Sequence, residues 1–148
     1  MALSRGDARR TVTDAAGRAR RRRGQILLIS LVATFLVVRG SMAFRPNADF
    51  SVAGFNVHHL FTGLLILTAC GIPLVLGFGR GRLGDTLTAG FGIGLSLALD
   101  EWVYLIATDG SNASYLLPLS FWGGVVVVGV AVLLVALLTW RAGRGGDG

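Results

Sequence analysis

Lysine is absent from the 148 residues, cysteine occurs once, and charged side chains make up only 15% of the chain. A single cysteine excludes an intrachain disulfide and leaves the redox compartment unreadable from thiols. Cys70, set between Ala69 and Gly71 in an apolar stretch, fits the role of a small apolar filler. Histidine is nearly missing too: His58 and His59 are the only two, and they are neighbours. Adjacent residues cannot grip opposite faces of a haem, so a bis-His haem within one chain is excluded. No Ser-His-Asp or Cys-His arrangement supports covalent catalysis. All fourteen basic residues are Arg, and Gly occurs 22 times. That bias matches the codon usage of a GC-rich bacterial genome.

Apolar residues make up 53% of the chain, with a mean hydropathy of +0.66. They gather in four blocks, each near the roughly 20 residues that carry a helix across about 30 Å of hydrocarbon. A soluble bundle would interrupt such runs with a polar face at every turn. The expected architecture is therefore all-α, a four-helix transmembrane bundle with spans at about 26–44, 55–78, 87–107 and 116–140, together a membrane domain over 25–140. Pro73 is expected to kink the second span near its end. Residues 1–24, rich in Arg, Ala and Gly without apolar periodicity, read as a disordered tail, and 141–148 as a short second tail.

The net charge of +6 could suggest nucleic acid, but position argues against it. Eight Arg lie in the first 23 residues, two between 80 and 86 and two after residue 140, whereas the 45–54 loop holds one and the 108–115 loop none. Alternate segments are basic, the positive-inside pattern for four spans with both termini in the cytoplasm. The expected setting is a bacterial cell membrane, with the Arg-rich tail against anionic lipid headgroups rather than nucleic acid. Trp140 at the inner end, and Trp102, Tyr104 and Tyr115 at the outer end, fit interfacial aromatic belts. Arg9-Arg10 and Ser41-Met42-Ala43 imitate a signal peptide. Arg39 stands between the apolar run and that site, so an uncleaved first span is expected; cleavage would leave three spans in the same orientation.

Intramembrane polar groups are few: Arg39, His58-His59 and Asp100-Glu101. A charge at the bilayer centre costs about 2.5–3.5 kcal/mol on insertion scales, less near the interface, so their presence asks for a reason. At 1.5 Å per residue, Arg39 lies about 8 Å below the outer end of its span, the histidines about 6 Å and the carboxylates about 10 Å. Three distant parts of the chain thus meet at one depth. The stripes Gly90-Gly94-Ala98-Glu101 and His59-Gly63-Cys70 favour His59 and Glu101 as the inward members. His58 and Asp100 then flank them, and Thr62 and Tyr104 stand within a turn.

Three functions fit this cluster. His58, His59, Asp100 and Glu101 could hold a divalent metal such as zinc or iron, or relay protons or a small solute in an oligomer. Alternatively, Arg39 pairs with a carboxylate and the network pins a structural or accessory subunit of a homo-oligomer or larger membrane complex. Two motifs carry no weight: Gly79 to Gly84 matches G-x-G-x-x-G but follows no strand, and Asn112-Ala113-Ser114 is a three-residue sequon. His58-His59, with Gly92-Ile93-Gly94 six residues before Asp100-Glu101-Trp102, resembles a group of small prokaryotic integral membrane proteins over the second and third spans. The resemblance implies that the two polar pairs form one feature, and implies no chemistry beyond that.

Overall fold

The computed structural model describes residues 5–44, 51–52, 55–56, 58–109, 111–115 and 117–144. Helix α1 runs from Arg5 to Phe44, α2 from His59 to Val75, α3 from Gly81 to Ala107, the short α4 from Asn112 to Tyr115, and α5 from Pro118 to Arg144. Strands β1, Ser51–Val52, and β2, Phe55–Asn56, pair antiparallel ahead of α2. Among the described residues, three helical stretches, Ala15–Met42, Gly81–Ala107 and Pro118–Gly143, are long and apolar enough to cross a membrane. Helix α2 is apolar but has only 17 residues, about 26 Å, at the short limit for a span.

The element boundaries differ from the sequence reading, each for a local reason. The basic tail from Arg5 onward continues α1, because Ala and Arg are strong helix formers and extending an existing helix avoids the cost of nucleation. The 40-residue α1 is about 60 Å long, more than a bilayer with its headgroups, so its N-terminal part extends beyond the apolar stretch. Phe55 belongs to β2, and α2 begins only at His59. Its other end comes early as well. Gly77 takes φ +81° just past the helix, Gly77 N–H donates to Leu74 O at 3.2 Å, and Phe78 N–H donates to Pro73 O at 3.0 Å. This pair of bonds is a Schellman termination, which spends the last carbonyls of α2 and turns the chain back. Pro73 thus lies in the final turn of α2 and does not kink a longer helix. The reversal is tight enough that Arg82 to Asp85, expected in a loop, form the first turns of α3. Pro118 opens α5, where its missing N–H costs no helical bond.

Helix α3 is the axis of the molecule and buries two stripes. On one side, Gly94 meets Gly63 of α2 so closely that an added Cβ at Gly94 would lie 2.7 Å from Gly63 O, and one at Gly63 would lie 2.6 Å from Gly94 O. Gly90 faces Cys70 one turn away, as the small-residue stripes imply. The other stripe advances four residues at a time: Gly84, Thr88, Gly92, Ser96, Asp100 and Tyr104, all buried. It receives α1 and α5; a Cβ on Gly92 would strike Ser30 of α1. Helix α2 packs on α3, whereas α1, α3 and α5 pack against one another. Outward faces are apolar and bare, with Ile29, Val37, Leu65 and Ile106 each 68–73% exposed, as lipid-facing helices require.

Two contacts tie the end opposite the polar cluster. Arg22 pairs with Asp85 at 2.7 Å, and Arg23 Nη2 donates to Gly79 O.

Candidate functional site: a divided polar cluster

Asp100 and Glu101 are adjacent on α3, so their side chains leave the helix about 100° apart. Both are buried, at 1% and 3% exposure, and they point to different neighbours. The cluster therefore has two halves with a helix between them.

The first half joins α1, α3 and α5. Arg39 Nε donates to Asp100 Oδ1 at 2.6 Å. Arg39 Nη2 donates to Ser120 O at 3.1 Å and to Asp100 O at 3.3 Å, and Nη1 donates to Tyr115 O at 3.3 Å. The guanidinium lies 4.3 Å from the centroid of the Tyr115 ring, a cation–π distance, and Tyr115 Oη donates to the second carboxylate oxygen of Asp100. Gly124 makes room: an added Cβ there would lie 2.8 Å from Arg39 Nη2 and 3.0 Å from Asp100 Oδ1. One cation thus gathers a carboxylate and three carbonyls, the saturation that an ion pair needs when water is excluded. Two hydroxyls in this region, Ser96 Oγ one turn along the stripe from Asp100 and Ser120 Oγ, are buried without a hydrogen-bond partner among the described residues.

The second half joins α3 to the start of α2. The N-cap residue His58 makes no side-chain capping bond. Glu101 supplies the cap from the neighbouring helix: Leu60 N–H donates to Glu101 Oε2 at 2.8 Å, and His59 Nδ1 lies 3.2 Å from Oε1. A carboxylate at a helix N-terminus satisfies an orphan N–H and complements the positive end of the helix dipole. His58 Nδ1 stands 3.8 Å from the same oxygen. The His58 ring is 6.0 Å from Tyr104, and Tyr104 meets Tyr115 edge-on at 5.3 Å, so an aromatic layer links the halves.

Beside the cluster, the loop after α3 is closed by its own side chains. Tyr104 Oη donates to Ser111 O at 3.0 Å. Asp109 Oδ1 accepts from Ser114 Oγ at 2.6 Å, Ser111 Oγ at 2.8 Å and Ser111 N–H at 3.1 Å. These three donors hold the Asp109 carboxyl down to about 2, with the Ser114 bond the largest cause.

The expected facing of His59 and Glu101 is present, and Arg39 does reach a carboxylate, namely Asp100. One expectation needs correction. Asp100 is not a flanking residue but the centre of its own half. Thr62, half-buried on α2, takes part in no described hydrogen bond or ion pair. The sequence reading also missed Tyr115, Ser120 and Gly124. Only the four-residue stripe ending at Asp100 and Tyr104 could have signalled that a second face of α3 was in use.

The fit of a metal follows from the same split. Asp100 is turned away from both histidines, and among the described residues no three His, Cys, Asp or Glu side chains are placed to hold a metal ion. The four residues expected as zinc or iron ligands, His58, His59, Asp100 and Glu101, do not form one donor set. No protein-family model, curated protein or solved structure matches the chain.

Proposed function

We propose that the protein is a structural or accessory subunit of a membrane assembly, in which the divided cluster fixes the depth and rotation of four spans. One observation carries this reading: the charged groups spend their hydrogen bonds on each other and on backbone atoms of neighbouring helices. Arg39 binds carbonyls from three different segments, and Glu101 caps α2. A catalytic or transport site would leave such donors and acceptors aimed at a common space. We place both termini in the cytoplasm and the cluster near the outer face of a bacterial plasma membrane. Twelve Arg in residues 1–24, 80–86 and 141–148, against one in 45–54 and none in 108–115, support that orientation.

The test has two arms. A reporter active only in the cytoplasm should be active when fused after Gly84 or Gly148 and silent at Asn112. Elemental analysis of purified wild-type protein and of His59→Ala reads the cluster itself. Stoichiometric metal in the first that is lost in the second would overturn the structural reading.

A further inference from the structure

The apolar helices α1 and α5 part at their cytoplasmic-side ends to leave a groove of about 420 Å³. Its walls follow helical periodicity: Arg21, Gln25 and Leu28 on α1, and Ala136, Thr139, Trp140 and Gly143 on α5. Just beside it the helices are in close contact, since a Cβ on Gly24 would lie 2.0 Å from Thr139 Oγ1. That contact sets the spacing of the two helices and leaves the groove as a valley opening outward.

The lining is graded along the helix axis. Arg21 and Gln25 stand at one end, and Leu28 and Ala136 at the other. Arg21 to Leu28 spans seven residues, about 10 Å. The headgroup layer of one leaflet is roughly 5–7 Å thick, so a groove of this length starts among phosphates and ends among acyl chains. Trp140, an amphipathic ring suited to that boundary, forms part of the wall. Gly143 contributes no side chain and widens the mouth; an added Cβ there meets nothing within 4 Å.

We propose that this groove binds one anionic phospholipid, its phosphate at Arg21 and Gln25 and its acyl chains along Leu28 and Ala136. The occupant is a lipid and not a soluble anion because half of the lining is apolar and opens sideways, where the bilayer lies. Anionic rather than zwitterionic lipid is favoured by charge: Arg21 is the charged residue of the lining, which includes no carboxylate. This site differs from diffuse attraction of a basic tail, because a single Arg and the free volume of the groove decide it. Assigning the lipid to the inner leaflet rests on the orientation proposed above, but the binding itself does not.

The test uses full-length protein carrying Trp102→Phe and Trp122→Phe, both at exposed positions, so that Trp140 is the only tryptophan and is excited selectively at wavelengths beyond tyrosine absorption. It is placed in nanodiscs of phosphatidylcholine with increasing phosphatidylglycerol, either lipid carrying brominated acyl chains in turn. Brominated phosphatidylglycerol should quench Trp140 at about fivefold lower mole fraction than brominated phosphatidylcholine. Arg21→Gln should abolish that preference, and Arg20→Gln, outside the groove, should leave it. Gly143→Leu should also abolish it by filling the groove without altering charge. Equal quenching by the two lipids, equal effects of Arg20→Gln and Arg21→Gln, or an unchanged preference in Gly143→Leu would each overturn the proposal.

Discussion

Replacing Asp100 by Leu removes the charge partner of Arg39 while leaving its carbonyl partners in place. The Nε–Oδ1 bond of 2.6 Å is lost, and so is the acceptor of the Tyr115 hydroxyl. Three bonds of 3.1–3.3 Å to carbonyls remain, along with the Tyr115 ring under the guanidinium. Breaking a buried pair from one side typically costs about 3–5 kcal/mol. The surviving contacts put this case near the lower end, about 3 kcal/mol, or roughly a 150-fold loss in the folding equilibrium. Arg39→Leu should cost less, about 2 kcal/mol, because a stranded carboxylate can take up a proton and become neutral. The double change leaves neither charge stranded and fills both places with apolar groups, so its cost should fall near 1–2 kcal/mol. The two changes then couple by about 3–4 kcal/mol, well above the ~0.5 kcal/mol scatter of independent sites. Far-ultraviolet circular dichroism during titration of micelles with dodecyl sulfate reads all four stabilities. A double variant that costs the sum of the single ones would refute the pairing. Arg39→Leu with Glu101→Leu is the internal comparison: these residues share no partner in the cluster, and their effects should add.

Two further outcomes follow from the geometry. Gly94→Val places atoms where Gly63 O lies 2.7 Å and Leu67 N 2.8 Å from the new Cβ, so α2 must move off α3 at a cost of about 1–3 kcal/mol. Maleimide labelling of Cys70, the only thiol, should then quicken several-fold, and Gly129→Val, where a Cβ meets nothing within 4 Å, should leave the rate unchanged. In the loop, Asp109 has a folded value near 2 against an ordinary 3.8. Its contribution to loop closure is complete above the ordinary value and is lost as pH falls from about 3.8 through 2. Carboxyl carbon shifts in an NMR titration should show Ser114→Ala raising that value; an unchanged midpoint would contradict the three-donor clasp.

Much of this arrangement was legible in the sequence where it depended on period and depth. Counting residues from the span ends placed Arg39, His59 and the two carboxylates at one level, and the Gly90-Gly94-Ala98 stripe identified the face that meets α2. Residue type alone could not say which carboxylate Arg39 would take. That choice depends on the rotation of α3, fixed jointly by two stripes of which only the more glycine-rich stands out in the sequence. The stripe from Gly84 to Tyr104 mixes Gly, Thr, Ser, Asp and Tyr, and shows as a packing face only when polarity is read as interhelical contact. Tyr115 was assigned to an aromatic belt because its position depends on the clasped 108–115 loop, a tertiary event. The ends of α2 were misplaced for a simpler reason: hydropathy continues through Leu76 and Phe78, whereas the helix stops where Gly77 adopts a left-handed conformation.

The cap that Glu101 places on α2 also has a bearing on biosynthesis. Leu60 and Glu101 are 41 residues apart, so the start of α2 reaches the membrane before its capping carboxylate does. Until α3 follows, an orphan N–H group and an incomplete first turn must draw on water or headgroups at the membrane surface. A nascent chain halted between the two helices would therefore hold α2 shallowly, with its register along the bilayer normal undecided. Arrival of α3 delivers the carboxylate and the Gly63–Gly94 contact together, so the placement of α2 is set by α3.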